Sequence, residues 1–203
     1  MTLTPLQYDT LRKPLNNTRV AHRSQGGKQL SYLESWDVRA HLIRVFGYGN
    51  FDIETIEQSW VGSREYQSSG DTPKPMVEVS WMAKVRLTVR GEDGARLCRY
   101  TETAVGSTSG PGSMIGEHHD NAVKTAASDA LKRCAINLGT QFGLSLYDDG
   151  SLRDVVRGTL VKPEGAQEPV PAELSPEQTA TLESSLGAEI VSETPNPEVA
   201  VQA

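Results

Sequence analysis

The sequence predicts an α+β fold in which a three-stranded antiparallel β-meander packs with helices. The segment 76–90 alternates clearly between apolar and polar residues, which is the period of a long half-buried strand. The turn signal GEDG at 91–94 joins it to a second strand pattern at 95–105. An alanine-rich stretch with helical spacing follows at 117–143. Together these observations predict a β-β-β-α core with helices on one face of the sheet.

The residues before the meander predict a short helix and then a loop. Thr4 is a good N-cap, Pro5 suits the first helical position, and Pro14 ends the helix. Segment 16–29 is polar and contains two adjacent glycines, so we predict that it forms a loop.

A second helix is predicted to begin at Ser31, with Glu34 completing a capping box. Its apolar stripe has helical spacing. Segment 50–62 alternates weakly and predicts the first strand of the meander, whereas the Gly/Ser-rich segment 106–116 predicts a flexible loop. The residues of the stripe are Leu33, Trp36, Ala40, Ile43 and Phe46.

Charge is unevenly distributed along this chain of 203 residues, whose net charge is −6. From Pro163 to the end there are eight glutamates, six of the eleven prolines, and no lysine, arginine or aromatic residue. The first 162 residues contain 20 basic and 18 acidic side chains, a net charge of +2. Such a tail buries too little apolar surface to offset its ordering entropy. We therefore predict a folded domain at 1–160 and an acidic, Pro-rich, mostly disordered tail at 161–203.

Several functional classes find no support in the sequence. GGKQ at 26–29 lacks the upstream glycine and the hydroxyl of a phosphate-binding loop. His118 and His119 are adjacent on a helix and do not share a face, so we expect an exposed helix start and no metal site. There is no nucleophile elbow, signal peptide or membrane span. We predict a non-enzyme without cofactor, located in a reducing compartment.

Cations gather on the alanine-rich helix. Lys124, Ser128 and Lys132 form an i, i+4, i+8 ladder, and Arg133 lies one position round the helix. On spacing alone, a solvated face with Asp129 paired to a neighbour explains them equally well. Further cations occur before the glycine pair and along strand 76–90, and such local concentration indicates nucleic-acid binding. These further cations are Arg23, Lys28, Lys84, Arg86 and Arg90.

Two composite motifs resemble the Rad52 family of single-strand DNA annealing proteins. They are GGKQLSYLESWDVRAHLIRVFGYGNFDIE and KTAASDALKRCAINLGTQFGLSLYD, in the family's order, and the resemblance covers about 17–150. It implies closed rings of β-β-β-α units that hold single-stranded DNA in an outer basic groove with the bases facing out. It also implies annealing of complementary strands without ATP, in recombination and DNA repair.

The resemblance also assigns residues. The loop arginine before the glycines is Arg23, with a one-residue slip towards His22 as the alternative. Ile136 stands where well-known members have a further arginine, and 106–116 lacks the lysine that some members use in a second DNA site. The implied single-strand-binding residues are Arg23, Lys28, Lys124, Lys132 and Arg133. Candidate substitutes for the second DNA site are Lys84, Arg86 and Arg90.

The expected function is therefore ATP-independent strand annealing by a homo-oligomeric ring bound to single-stranded DNA. The alternatives are a mediator that loads a recombinase, a protector of DNA ends without annealing activity, and a module that binds double-stranded RNA. The acidic tail is a candidate docking segment for a recombinase or a single-strand-binding protein. No membrane association is expected. Compared with the family, the compact length and the missing recombinase-binding region imply a bacterial or phage member in the cytoplasm of the bacterial or phage-infected host cell, although a nuclear location fits as well.

Overall fold

The computed structural model describes residues 3–166, apart from the side chains of Gln25 and Lys28. Most of the predicted acidic tail, 167–203, lies outside the described residues, so the prediction made for it is untested. The helices and strands in chain order are α1 (Pro5–Arg12), β1 (Val20–Gln25), β2 (Lys28–Leu33), α2 (Ser35–Phe46), β3 (Phe51–Gln67), β4 (Pro75–Arg90), β5 (Arg96–Pro111), α3 (Ile115–Ile136) and α4 (Leu144–Asp148).

The predicted α+β architecture is confirmed. Strands β3, β4 and β5 form an antiparallel sheet in that order, and α3 lies across β4 and β5. Along β4, alternate side chains face α3 and form the centre of the core, as the alternation predicts. Trp81 continues this row but is only partly buried. The buried members of the row are Val77, Val79, Ala83, Val85, Leu87 and Val89.

Small residues let α3 approach the sheet closely. Ala122, Ala126 and Ala130 are fully buried on the face of α3 that meets the sheet. A Cβ atom added at Gly106 of β5 would lie 2.4 Å from the backbone oxygen of Ala122, which no real contact permits. The small residues of α3 and Gly106 of β5 therefore fit closely against each other. This fit sets the position of α3, and of the side chains it carries, relative to the sheet.

Segment 16–29 is not the predicted loop. Val20–Gln25 and Lys28–Leu33 pair as an antiparallel hairpin, with Gly26 and Gly27 at its turn. Both glycines have positive φ angles, 58° and 76°, the combination that a two-residue type I′ turn requires. The residues that flank the glycines are mostly polar, so they do not show the strong apolar alternation that predicts a strand.

The second helix also begins later than predicted. Ser31 belongs to strand β2, opposite His22, and the helix runs over Ser35–Phe46 with Glu34 as N-cap. The side chain of Glu34 makes no capping hydrogen bond, so the predicted capping box is wrong. The predicted apolar stripe is only partly correct, because Trp36 is exposed. The buried face of α2 consists of Asp37, Val38, His41, Leu42, Val45 and Phe46.

The flexible loop predicted at 106–116 is also wrong. Strand β5 continues to Pro111, and after a 3-10 turn at Gly112–Met114 helix α3 begins at Ile115. Two of the glycines that suggested a loop, Gly106 and Gly110, are instead the places where α3 and its side chains approach the strand. Helix α3 ends at Ile136, seven residues before the predicted end, and a second 3-10 turn at Thr140–Phe142 follows.

Candidate nucleic-acid interface

An open groove lies between the hairpin β1–β2, the start of α2 and one side of α3. Its volume is about 650 Å³, and it is open to solvent along its length. The hairpin contributes Arg23 and Tyr32, and α3 contributes Lys124, Ser128 and Lys132. Three of the five cations predicted to bind single-stranded DNA therefore line one depression, although they are far apart in the sequence.

A tyrosine joins the cations of the hairpin to those of α3. The guanidinium carbon of Arg23 lies 5.4 Å from the centre of the Tyr32 ring, and the Lys132 ammonium lies 5.7 Å from the same point. Tyr32 pairs with Ala21 across the hairpin, so Arg23 is its diagonal neighbour on the same face. Cation–π attraction thus draws both charges towards one tyrosine ring at the groove.

The hairpin register also distinguishes the two candidates for the loop position. His22 points to the opposite face of the strand from Arg23, because successive side chains alternate. There the His22 ring nitrogen Nδ1 lies 3.1 Å from the Ser31 hydroxyl oxygen. Of the two residues, only Arg23 lines the groove beside α3.

Both lysines of the groove already have acidic neighbours on α3. The Lys132 ammonium lies 2.6 Å from a carboxylate oxygen of Asp129, and Lys124 pairs with Asp120. These are i, i+3 and i, i+4 pairs at the helix surface, which contribute little to stability. An anion entering the groove would therefore compete with carboxylates that are weakly held, and Asp129, which lines the groove, limits its net charge.

The other two predicted cations lie differently. Arg133 is exposed, is one position round the helix from Lys132, and does not line the groove. Among residues 3–166 no ion pair involves Arg133. Lys28 is the first residue of β2, opposite Gln25 beside the glycine turn. The structure therefore brings Arg23, Lys124 and Lys132 together and leaves Arg133 at a neighbouring face of the helix.

Ile136 shapes the neighbouring surface. It stands where the family resemblance led us to look for an arginine, and it lines a cavity of about 200 Å³ that adjoins the groove at Tyr32 and Lys132. Phe142 and Leu146 contribute further apolar surface to this cavity. Ile136, which departs from the family pattern, thus presents an apolar side chain where the resemblance implies a charged one.

A buried ion pair attaches the hairpin to the rest of the domain. Arg19, just before β1, forms a bidentate pair with Asp37 of α2, and the shortest distance between them is 2.8 Å. The side chains are only 11% and 4% exposed. Arg19 also donates to the backbone and side-chain oxygens of Gln141, and Gln141 donates to the Lys13 and Pro14 carbonyls. This network fixes the hairpin relative to α2 and the segment after α3.

A buried histidine lies beside this network. His41 of α2 packs edge-on against Phe142, with ring centres 5.0 Å apart, and neither ring nitrogen has a hydrogen-bond partner. Burial, together with the nearby Arg19 guanidinium, lowers the pKa of His41 to about 4, while Asp37 opposes the shift. His41 is therefore neutral at physiological pH and acts as a packing residue.

The candidate second DNA site lies on the other face of the sheet. Lys84, Arg86 and Arg90 alternate with the core residues of β4 and point away from α3. Arg86 lies 3.4 Å from Glu54, and Arg90 pairs with Asp52, both on the neighbouring strand β3. These cations form a flat surface in which acidic side chains of β3 sit among them.

The histidines, cysteines and acidic residues within 3–166 form no metal centre. No group of three or more histidine, cysteine or acidic residues there could hold a metal ion, and both cysteines are free. His118 is buried, contrary to the exposed helix start that we predicted, and its Nε2 lies 3.1 Å from the Pro111 carbonyl oxygen. His119 Nδ1 accepts a hydrogen bond from the Trp81 indole. No described helix is long and apolar enough to span a membrane.

Two aromatic residues of the groove occupy positions that differ from the prediction. Tyr32 was assigned to a helix, and Trp36 was assigned to the core stripe of α2, yet both line the groove. The available signal was the Gly-Gly turn, which places Tyr32 on a strand diagonal to Arg23 once a hairpin is assumed. Nothing in the sequence indicated that Trp36 faces outwards.

A groove that combines cations from two elements with aromatic side chains is typical of a nucleic-acid-binding protein. A family model described as Rad52/22 family double-strand break repair protein matches residues 5–162, so the chain belongs to this family. Membership associates the chain with double-strand break repair and recombination. Comparison with curated proteins gives no match.

Proposed function

We propose that the protein binds single-stranded DNA in the groove and anneals complementary strands without ATP, as a homo-oligomeric ring. The observation that carries the proposal is the placement of Arg23 and Lys132 on either side of Tyr32 in an open groove. The groove has the parts of a site for a single strand, because cations attract the backbone and aromatic rings accept bases of any sequence.

Annealing follows from how such a groove would hold the strand. Arg23, Lys124 and Lys132 contact phosphates, and the wide opening leaves base edges accessible to a second strand. Pairing of the bases then supplies the free energy, so no catalytic residue and no nucleotide cofactor is required. Three phosphate contacts per subunit give a log–log salt slope of about −2, at ~0.7 per contact for single strands.

Ring assembly has its own support in the edge strand β3. This strand is 17 residues long, is mostly exposed, and forms one edge of the sheet. Ile56, Trp60 and Val61 are 41%, 58% and 58% exposed on it. Long exposed edges with apolar side chains are usually covered in the functional assembly. A ring would align the grooves of neighbouring subunits, so that many weak contacts act on one strand.

The decisive experiment measures annealing of two complementary fluorescent oligonucleotides, without ATP or metal, together with particle mass by light scattering. We expect fast annealing by a particle much larger than 22.1 kDa. The double variant Lys132→Ala, Arg133→Ala should bind single-stranded DNA more weakly while keeping its particle mass. Binding without faster annealing would indicate an end protector or a mediator. Unchanged affinity of the double variant at low salt would contradict the groove assignment.

A further inference from the structure

Trp36 is a large aromatic side chain without a packing role. It is the second residue of α2 and is 64% exposed, on the opposite side of the helix from the buried residues. It lines the same groove as Lys124 and Ser128 of α3. An exposed indole inside a groove lined by cations differs from a scattered surface apolar residue, because its surroundings already suit an anionic ligand.

Trp81 shows what a structural tryptophan of this domain looks like. It is partly buried against Val77, Val79 and Ala122, and its indole donates to His119 Nδ1 over 2.8 Å. Trp36 has no such core around it. Its indole nitrogen donates to the Glu34 carboxylate at the N-terminus of the same helix. This hydrogen bond restrains the ring on a rigid element while leaving most of its surface open to solvent.

We propose that Trp36 is a stacking platform for a nucleobase of the strand bound in the groove. This inference rests on the proposed function and names a ligand subsite within it. The ligand is a base of a single-stranded nucleic acid, of any sequence, because every base has an aromatic face. Arg23, Lys124 and Lys132 attract the phosphates, and Trp36 on the α2 wall receives the face of a base.

Stacking is the mode of base contact that is compatible with annealing. A base that lies flat on Trp36 uses its π-face and keeps its Watson–Crick edge free for a complementary strand. A pocket that took up the edge would block pairing. The same stacking limits rotation of the base, so it presents the edge in a restricted orientation. Trp36 is thus a binding and positioning residue, and no reaction takes place on it.

The test uses the full-length chain and two oligonucleotides of equal length and phosphate number, oligo-dT and a fully abasic strand. Affinities are measured by anisotropy, and tryptophan emission is recorded in the same titration. Trp36→Leu should weaken oligo-dT binding by roughly fivefold to a hundredfold, the range for one stacked base. It should leave abasic binding unchanged, and the quenching of emission by oligo-dT should be lost.

Two variants make the result specific. Trp36→Phe retains an aromatic face and should recover most of the affinity for oligo-dT. Tyr48→Leu changes an aromatic side chain that is 87% exposed outside the groove and should leave both affinities unchanged. The particle mass of each variant is compared with that of the unaltered protein by light scattering.

Three outcomes would overturn the inference. Equal weakening of oligo-dT and abasic binding by Trp36→Leu would indicate a general effect on the groove. A changed particle mass would indicate that a second copy covers Trp36. Equal affinity of the unaltered protein for the two strands would exclude base stacking yet leave the proposed backbone groove intact. If the unaltered protein bound neither strand at low salt, the proposed function itself would fail.

Discussion

The groove and the candidate second DNA site on the outer face of the sheet each contain three cations, but they hold them in different ways. The groove takes Arg23 from the hairpin and Lys124 and Lys132 from α3, and places two of them around one tyrosine ring. The candidate second DNA site takes its three cations from β4 alone. There the acidic residues of β3 lie beside them on a flat surface.

This comparison teaches that a count of cations does not identify a binding site. Both sets are partly paired with carboxylates, so pairing alone does not separate them. The groove differs by being concave and by having aromatic walls. Concave surfaces with low-dielectric walls concentrate the electrostatic potential, whereas a flat surface with both signs of charge spreads it into solvent. We therefore expect the groove to dominate single-strand binding.

The largest expected effect comes from removing two cations of one set at a time. The double variant Arg23→Ala, Lys132→Ala should lose about a hundredfold or more in affinity, because each charged hydrogen bond contributes about 1.5–3 kcal/mol. Its salt slope should become shallower by about 1.4. Lys84→Ala with Arg86→Ala is the matched control, with an expected loss below about fivefold. Anisotropy at several salt concentrations measures both, and equal losses would abolish the distinction between the two surfaces.

The next largest effect concerns the ion pairs that hold each group of cations in place. Asp37→Ala leaves the Arg19 guanidinium buried without its carboxylate, so the free energy of unfolding should fall by about 3–5 kcal/mol. Asp52→Ala removes the partner of Arg90 on the outer face, where side chains are 36% and 45% exposed, and should cost less than about 1 kcal/mol. Urea denaturation gives both values. Similar losses of unfolding free energy in the two variants would mean that the Arg19–Asp37 pair does not hold the hairpin in place.

Acid should destabilise the buried region that supports the groove, and we expect it to act through His41. Its folded-state pKa of about 4 lies below the ordinary value of 6.5, so between these values only the unfolded chain takes up the proton. The free energy of unfolding should therefore fall as the pH drops from about 6.5 towards 4, by up to about 3 kcal/mol, and stay level above 6.5. Melting temperatures at pH 5 and pH 7 measure the effect.

His41→Asn removes this buried imidazole and should flatten the acid dependence, whereas His22→Asn, which alters an exposed imidazole of the hairpin, should not. An unchanged pH profile in His41→Asn would show that another group sets the acid response. Hydrogen exchange at α2 and the hairpin, compared with β4, would show whether acid loosens the groove before the sheet.

The smallest effect tests the carboxylates that compete for each set. Asp129→Asn frees Lys132 from a neighbour 2.6 Å away and removes a negative charge from the groove. Single-strand affinity should rise by up to about fivefold, the range for an exposed ion pair. Glu54→Gln frees Arg86 on the outer face in the same way and should leave affinity unchanged. A gain from Glu54→Gln alone would move the binding site to the sheet.

The parts of the fold that the sequence predicted correctly share a physical cause. Val79, Val85 and Leu87 are buried on one face of β4, so their alternation is a direct record of that face. The alanines of α3 are likewise buried by the sheet against which they were predicted to pack. Where one element buries one face, periodicity in the sequence is sufficient.

The incorrect predictions concern segments whose burial depends on contacts with another element. The hairpin β1–β2 is not part of the main sheet, and its polar residues show no strong alternation. The glycines of β5 suggested a loop because their purpose, the close approach of α3 at Gly106, is a contact with a residue far along the chain. Trp36 was placed in the core because it follows the helical period, although the buried face of α2 lies elsewhere.

The sequence by itself determined the β-β-β-α unit, the order of its elements and the candidate cations, because local periodicity and residue type encode these. The tertiary structure alone decided which cations share a surface. Arg23 meets Lys132 through Tyr32 because the hairpin register and the buried Arg19–Asp37 pair set their relative positions. Long-range packing creates that proximity, and no short stretch of sequence contains it.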